Sequence, residues 1–534
     1  MSVNSVHQAV KTRKRKSFQL HFYFLVFVSS IIQKARGLSV YPKTQRFYHE
    51  TKLCSQSNHD IDEWKNQVLY YVDDIHLQSS TRSKFAIESK FAMKCDTKYE
   101  WIHGYTSPSD FKGIRNVALR TSSEAPLLDE VTVKCIREAA SKRWDLQQNQ
   151  ESRFTLQSEN TNSECHLDEL ISEQSNPRLK SVIDEMLQTK IYPLVREAFA
   201  QDLKYGNEIC VYDSLVIRYN GDNVEGLAAS QPLHRDGSIV SVNIALNDFE
   251  RNELTGENGF EGGGTFFEGL ICNPENSTPI LRPIGTGHAV AHCSNERHAG
   301  APTTRGVREI LVFFLTQRPK LSGSKYIAPP VERSFHLKRY AKDLPKDAAL
   351  ATLDIAVSEC QMDGEAHFFK GFRLLQRSND NVEYNAGRLE ELNESTKHLK
   401  LAKQYAPYDA RINCYVGIAH VQRLTHLRKT KSQHNLDERS ELEKALRSFV
   451  DAIYLSDTYD HWGISSDFDL ITAILPTAET LAQLERHSDA LEILERLGSN
   501  VGKEEKGVEA PLIAHANALS EYCRKQISRS NVIS

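Results

Sequence analysis

Residues 298–315 read HAGAPTTRGVREILVFFL, and this stretch decides the fold. Its second half is rich in β-branched, aromatic and aliphatic residues, which predicts a strand over residues 307–315. Residues 210–219 and 239–246 have a similar composition, and glycine clusters at 262–264 and 285–287 separate the runs. Several short strands punctuated by such turns are typical of a sandwich, a barrel or a jelly roll.

A histidine and an aspartate stand two residues apart between these predicted strands, at His234 and Asp236. Side chains at positions i and i+2 of a strand share a face, so this imidazole and this carboxylate converge. The spacing alone is a weak signal, because it recurs at residues 166–168 and 487–489. His298 supplies a third candidate ligand. Two histidines and one carboxylate form the facial triad that is typical of non-haem Fe(II) oxygenases, although a zinc site remains open.

Arg308 lies ten residues after His298, at the start of the predicted strand. An unpaired buried charge is costly, so an arginine on a buried strand needs an anionic partner. A dicarboxylate would supply one with bidentate geometry. His292 is a rival for the third ligand position, but no arginine follows it at the same distance. The pattern therefore indicates a metal centre beside a bound dicarboxylate.

The stretch from residue 214 to residue 319 resembles the 2-oxoglutarate and Fe(II)-dependent oxygenases, specifically the prolyl 4-hydroxylase and procollagen lysyl hydroxylase group. The resemblance lies in four motifs: HxDxS at 234–238, NIALN at 243–247, FEGGGT at 260–265 and HxGxPTTxGxR at 298–308.

This resemblance implies a set of ligands for Fe(II) and for 2-oxoglutarate. His234, Asp236 and His298 would bind the iron, and Arg308 would bind the distal carboxylate of 2-oxoglutarate. It also implies that L-ascorbate supports turnover. The residues implied to help hold the co-substrate or to shape the turn before Arg308 are Tyr219, Asn243, Thr304 and Gly306.

The resemblance also implies a fold and a reaction. The expected fold is α+β, with a double-stranded β-helix (jelly-roll) core and flanking helices, followed by an all-α helical-repeat domain. The expected reaction uses O2 to hydroxylate a peptidyl residue, with succinate and CO2 as co-products. Proline is the leading prediction, and lysine is the alternative because PTTxGxR and NxALN are closest to that branch. An oxygenase acting on a small molecule and a scaffold with an inactive oxygenase fold remain open.

Two departures from the group bear on substrate geometry. Glu309 follows the arginine where these families usually have an aromatic residue, and the hairpin after Leu246 is longer than usual.

The chain divides into four predicted segments. Residues 1–37 form a signal peptide or signal anchor, 38–115 a region of unclear role, 116–322 the oxygenase domain and 340–528 a tetratricopeptide-like helical domain. Within the oxygenase domain, helices are predicted over residues 127–144 and 177–200, with a polar loop over 147–164. In the helical domain, the spacing of small residues resembles tetratricopeptide repeats that bind a peptide or a partner, and an ordinary helical bundle remains open.

The amino-terminal residues predict the cellular compartment of the protein, and the composition limits its class and its partners. A basic block at 11–16 precedes an apolar run of 11 residues at 22–32, which is the layout of a secretory signal. We therefore expect the lumen of the endoplasmic reticulum, or a membrane anchor facing it. The hydrophobic fraction of 40% and charged fraction of 25% exclude a disordered, collagenous or multi-span membrane chain. A net charge of −4 argues against nucleic acid as the main partner, and the ten cysteines contain no CxxC pair.

Overall fold

The computed structural model describes most of the chain from residue 95 onward. The described residues are 68–69, 85–88, 95–105, 114–124, 126–146, 162–171, 176–204, 207–223, 229–249, 259–271, 278–319, 328–380, 386–430, 437–466, 468–501 and 510–533. They combine antiparallel sheets with many helices, so the α+β prediction is confirmed at this level. The predicted signal segment lies outside the described residues. Within them, no helix is long and apolar enough to cross a bilayer.

Seven strands form the larger sheet, in the order β1-β2-β10-β6-β12-β4-β3. Their bounds are Tyr99–Tyr105 (β1), Ile114–Thr121 (β2), Asn162–His166 (β3), Asn207–Asn220 (β4), Val240–Ala245 (β6), Ala289–Cys293 (β10) and Val307–Pro319 (β12). β12 pairs antiparallel with both β4 and β6, which makes it a central strand. Its run of β-branched and aromatic residues is buried over most of its length, as a strand covered on both faces requires.

A smaller sheet lies beside the first, in the order β5-β11-β8-β9, with β7 also pairing with β11. Its strands are Ala229–His234 (β5), Glu261–Gly262 (β7), Thr265–Phe267 (β8), Ile280–Leu281 (β9) and His298–Arg305 (β11). The motif HxGxPTTxGxR thus supplies β11 of one sheet and the start of β12 of the other. The double-stranded β-helix assignment itself stays a prediction.

Four helices among the described residues 126–204 cover the larger sheet. They are Glu130–Leu146 (α1), Leu167–Leu170 (α2), Pro177–Met186 (α3) and Tyr192–Ala198 (α4). The Asn176 side chain caps α3 by accepting from the Leu179 N–H at 3.1 Å, and proline occupies the first helical position. Their apolar faces and the inner face of the sheet form one buried cluster, which includes Ile136, Leu187 and Leu311.

The described residues from 330 to 533 form helices that pack one on the next. They are Pro330–Lys342 (α5), Lys346–Glu359 (α6), Gly364–Asp380 (α7), Ala386–Tyr405 (α8), Ala410–Thr430 (α9), Glu438–His461 (α10), Ile471–Gln483 (α11), His487–Val501 (α12) and Ala510–Ile533 (α13). A Cβ on Gly417 would lie 2.6 Å from the ring of Phe449, so glycine lets α9 and α10 approach closely. The tetratricopeptide assignment stays a prediction.

The structure differs from the expected elements in three places. Strand β1 and the start of β2 precede residue 116, so the sheet begins inside the segment to which no role was given. The polar stretch 147–164 ends in β3 rather than in a loop, because β3 pairs with β4 along the sheet edge. The predicted helix over 177–200 is divided by a π-helical turn at Leu187–Ile191.

Candidate iron and 2-oxoglutarate site

The two candidate histidines face each other across a strand pair. His298 opens β11 and is the register partner of His234, which ends β5. On its other side, His298 pairs with Phe267 of β8. Asp236 follows β5 in a turn, so it reaches the histidines from a loop rather than from the same strand. Register and turn together bring the three residues to one point.

The ligand atoms of His234, Asp236 and His298 all lie within 4.8 Å of one another. Asp236 Oδ1 is 3.4 Å from His234 Nε2, and its Oδ2 is 3.5 Å from His298 Nε2. Each histidine has its Nδ1 beside a backbone carbonyl, at 2.8 Å from Pro232 O and at 3.0 Å from Glu296 O. A carbonyl can only accept, so each Nδ1 carries the proton and each Nε2 presents a lone pair. This donor set suits a ferrous ion.

The protonation states of His298 and Asp236 favour a cation, whereas that of His234 opposes one. Burial alone would lower the pKa of His234, but the hydrogen bond and charge of Asp236 raise it above its usual value. Burial lowers the pKa of His298 well below its usual value, which keeps the imidazole neutral. Burial alone would raise the pKa of Asp236, but the neighbouring His298 and His234 hold it below its usual range. Neutral imidazole and ionised carboxylate are the forms that bind metal.

A serine that the motifs did not single out orients the carboxylate. The Ser241 hydroxyl donates to Asp236 Oδ2 at 2.5 Å. Ser238, which the HxDxS pattern did single out, instead contacts Ser294 at 2.6 Å. Both serines are buried. No pattern marks Ser241, because its role depends on the fold between β5 and β6.

The rival ligand His292 lies close to the triad without joining it. Its ring centroid is 4.2 Å from that of His298, and its Nδ1 is 3.1 Å from Cys293 O. It does not belong to the group whose ligand atoms cluster within 4.8 Å. The geometry therefore favours His298 as the third ligand.

A cavity with a cationic wall adjoins the triad. It is open to solvent on one side, and Arg308 lies in its lining. The guanidinium lies 5.0 Å from the ring of Tyr219, its register partner on β4. Arg308 Nη1 is buried and has no hydrogen-bond partner among the described residues. A buried cation with an unused donor fits an incoming carboxylate.

The other predicted co-substrate residues also lie in this cavity. Tyr219 and Asn243 both line it, Asn243 from the neighbouring strand β6. Gln231 and Thr265, which sequence reasoning missed, add polar atoms to the wall. The apolar part of the lining comes from Ile217, Ile310, Val312 and Phe314.

Two glycines shape the approach to the arginine. Gly306, between β11 and β12, has a φ of +70°, and a Cβ there would lie 2.6 Å from Gly259 O. Gly263 has a φ of +66°, and a Cβ there would lie 2.8 Å from the Arg308 side chain. Glycine is therefore required at both positions for the turn and for the close packing around Arg308.

Glu309, the residue that departs from the related families, lies on the opposite face of β12. It is buried and accepts from Arg137 Nε at 2.6 Å and from Arg218 Nε at 2.9 Å. Successive residues of a strand point to opposite faces, so Arg308 faces the cavity and Glu309 faces α1. Glu309 therefore joins a helix to the sheet and lies outside the substrate cavity.

Comparison with known proteins agrees with this site. Procollagen-lysine,2-oxoglutarate 5-dioxygenase 1 of Mus musculus is 28% identical over 177 residues, which is 32% of this chain and 20% of that protein. The multifunctional procollagen lysine hydroxylase and glycosyltransferase LH3 of Rattus norvegicus is 28% identical over 134 residues, or 24% of this chain and 15% of that one. The resemblance to the 2-oxoglutarate oxygenases is confirmed. The chain spans 20% of the length of the first relative and 15% of the second, and no protein-family model matches it.

Solved structures with partial similarity include two kinds of prolyl 4-hydroxylase. One, from Pseudomonas putida, is 16% identical with a TM-score of 0.24, covering 36% of this chain and 90% of that one. The other, from Phytophthora capsici, is 14% identical with a TM-score of 0.25, covering 70% of this chain and 96% of that one. TM-scores this low carry no weight for function.

Proposed function

We propose that this chain is an Fe(II)- and 2-oxoglutarate-dependent dioxygenase that hydroxylates a residue of a peptide. The observation that carries the proposal is the pairing of two features in one place. Three metal-ligand side chains converge within 4.8 Å, and the adjoining cavity holds a buried arginine donor without a partner. The same three ligands also suit zinc, and the buried arginine beside them is the feature that favours a dicarboxylate co-substrate.

The site residues would have separate roles in binding the metal and the co-substrate. His234, Asp236 and His298 would hold the iron, and Arg308 would bind the far carboxylate of 2-oxoglutarate. Fe(II) and 2-oxoglutarate, when bound, supply the activation of O2, with succinate and CO2 as co-products. The aliphatic and aromatic wall excludes water from the reacting atoms and holds the co-substrate in one orientation.

Two observations bear on the substrate. The similar mammalian proteins are procollagen lysine hydroxylases, which favours a lysyl side chain. The motif set favours the wider prolyl and lysyl hydroxylase group; we propose proline as the target, and lysine is an equally supported alternative. In either case we propose that the helical region binds the peptide or a partner protein, and that ascorbate sustains turnover.

We also propose entry into the secretory pathway. The basic block at 11–16 and the apolar run at 22–32 support this proposal. Expressing the full chain with a carboxyl-terminal reporter and testing it for protease protection in microsomes would check this.

Turnover in vitro tests the activity. The purified chain is combined anaerobically with Fe(II), 2-oxoglutarate and ascorbate, then exposed to O2 with proline-rich and lysine-containing collagen-like peptides. Mass spectrometry assigns any added oxygen to a residue, and succinate is measured in parallel. Oxygen on proline supports the leading proposal, and oxygen on lysine supports the alternative. Succinate without a modified peptide contradicts the peptide substrates, and bound iron without succinate supports an inactive scaffold.

A matched variant separates the site from contaminating activity. His298→Ala removes one ligand and is expected to abolish both iron binding and succinate formation. His166→Ala is the control. His166 belongs to a second HxD spacing, is half-buried and contacts Asp213 between strands β3 and β4 of the larger sheet. This variant is expected to leave iron binding intact.

A further inference from the structure

The backbone beside the candidate iron ligands contacts the carboxyl-terminal helices. Leu233, which precedes His234, donates its N–H to Ser465 O at 3.0 Å. Leu233 and Ala299, which follows His298, are buried in one apolar cluster with Tyr459 and Ile464. The segments that carry both histidines are therefore packed against the end of α10 and the turn after it.

An ion pair reaches the same segments from α7. Arg235 stands between the ligands His234 and Asp236, and its side chain is largely buried. Its Nη1 lies 3.3 Å from Glu365 Oε1, near the start of α7, and its Nε donates to Asn295 O at 3.0 Å. Arg235 thus joins the ligand turn to a helix that lies far away in sequence.

Two cations fix the position of Glu365. Lys338 Nζ of α5 is 3.2 Å from Glu365 Oε2, and Arg411 Nη2 of α9 is 3.4 Å from Oε1. Lys338 also donates to the buried Asp363 at 2.7 Å. The carboxylate that holds Arg235 is therefore held in turn by two further helices.

A second buried ion pair lies beside His298. Arg297 Nη1 donates to Glu268 Oε1 at 2.7 Å and lies 3.3 Å from Asp409 Oδ2, just before α9. Asp409 is fully buried, and Arg411 holds its Oδ2 at 2.7 Å. The arrangement repeats that of Arg235, because an arginine adjacent to an iron ligand again pairs with an acid of the helical region.

We infer that Glu365 and Asp409 are positioning residues for the iron site, so that the helical region forms part of the active site's support. This inference rests on the proposed function. Both ligand-bearing segments would be held in register through Arg235 and Arg297, and partners of metal ligands commonly set metal affinity. The helical region then governs iron affinity whatever peptide or partner it also binds.

Iron binding by charge-neutral variants of the full chain tests the inference. Glu365→Gln and Asp409→Asn keep the side-chain volume but remove the charge. Anaerobic calorimetric titration with Fe(II) alone measures affinity, and thermal unfolding of the metal-free protein measures stability. We expect each variant to bind Fe(II) several-fold more weakly than the wild type, up to about 10-fold, which is the lower end of the effect of removing a direct partner of a metal ligand.

Glu441→Gln is the matched control. Glu441 is also buried and pairs with His420 and Arg423, but these contacts lie within the helical region. We expect this variant to lose stability while keeping wild-type iron affinity. Where Glu365→Gln does not fold, Glu365→Asp keeps the charge on a shorter side chain and is expected to bind iron with reduced affinity.

The outcomes distinguish this inference from the proposed function. Wild-type iron affinity in both Glu365→Gln and Asp409→Asn would overturn the positioning role. Equal loss of affinity in Glu441→Gln would also overturn it, because the effect would then be one of general stability. Tight iron binding by the wild type without succinate formation would instead overturn the proposed function and leave the positioning role standing.

Discussion

Replacing Arg308 with methionine is predicted to have opposite effects on the free and the ligand-bound protein. In the structure the guanidinium is buried, burial lowers its pKa, and its Nη1 has no hydrogen-bond partner among the described residues. Methionine has similar length and no charge. The variant without 2-oxoglutarate should therefore be more stable than the wild type, because an unpaired buried charge is removed.

The size of the effect follows from two opposing contributions. Replacing a buried ionic group by a well-packed apolar one stabilises by about 1 to 4 kcal/mol. The contact between the Arg308 guanidinium and the Tyr219 ring, at 5.0 Å, stabilises the wild type by about 1 to 2 kcal/mol. The variant loses this contact, which offsets part of its gain. We expect a net gain of about 1 kcal/mol in the free energy of unfolding of the ligand-free Arg308→Met variant.

Binding of 2-oxoglutarate should change in the other direction. Loss of one partner of a buried charge pair costs about 2 to 5 kcal/mol, so affinity should fall at least about 30-fold, and about 100-fold for a cost of about 2.7 kcal/mol. Ligand at 100 times the wild-type Kd stabilises the wild type by about 2.7 kcal/mol. The same concentration should stabilise the variant by only about 0.4 kcal/mol.

Chemical unfolding with and without 2-oxoglutarate, in the presence of Mn(II) under nitrogen, measures both effects. Arg305→Met is the control, because Arg305 lies nearby but its side chain is 75% exposed. That variant should respond to 2-oxoglutarate as the wild type does. An Arg308→Met protein that is less stable without ligand and still fully stabilised by 2-oxoglutarate would refute the assignment of Arg308.

Three further predictions concern stability and pH. Gly417→Val should lower the free energy of unfolding by about 1 to 3 kcal/mol, because the new side chain meets the Phe449 ring, and an unchanged denaturation midpoint would contradict this packing. Glu309→Gln should lower the free energy of unfolding by about 2 kcal/mol, because it weakens the ion pair with Arg137. The affinity for 2-oxoglutarate should stay unchanged, and a changed affinity would place Glu309 in the cavity. Burial raises the pKa of Glu268 to about 7, so its contribution to stability should be full below pH of about 4.5 and lost as the pH rises through about 7. Glu268→Gln should flatten that part of the stability profile, and an equal slope in both proteins would contradict it.

The Glu268 carboxyl is buried between Tyr459 and Arg297. The Tyr459 hydroxyl lies 2.6 Å from Glu268 Oε1, and Arg297 Nη1 donates to the same oxygen at 2.7 Å. Both contacts favour the ionised carboxylate and oppose the effect of burial on its pKa. The pKa is raised by burial first, and the nearby Asp409 raises it further against the opposing effect of Arg297.

Local patterns in the sequence were sufficient for much of the site. The HxD spacing, His298 and the arginine ten residues later all lie on or beside strands whose composition is distinctive, and the structure brings them to one cavity. The resemblance to the oxygenases, which those same residues carry, implied the α+β class. These features depend on short-range periodicity, which a single sequence displays.

The contacts between residues far apart in the chain could not be predicted from the sequence. Nothing near Glu365 indicates that it pairs with Arg235, because an acid at the start of a helix has an ordinary local explanation. The role of Ser241 depends on a turn, and the orientation of Glu309 depends on the register of β12. Strand β1 reads YEWIHGY, whose aromatic and β-branched residues favour a strand, but it lies in a segment of mixed polar composition and was overlooked there.

The bond from Leu233 to Ser465 also bears on the order of synthesis and folding. Ser465 follows His298 by well over a hundred residues, so the ribosome completes both histidine strands long before their support exists. Such distant contacts are slow to form, so the packing that covers Leu233 and Ala299 is completed only after α10 has been synthesised. A metal site that depends on this packing is therefore completed late in the folding of the chain.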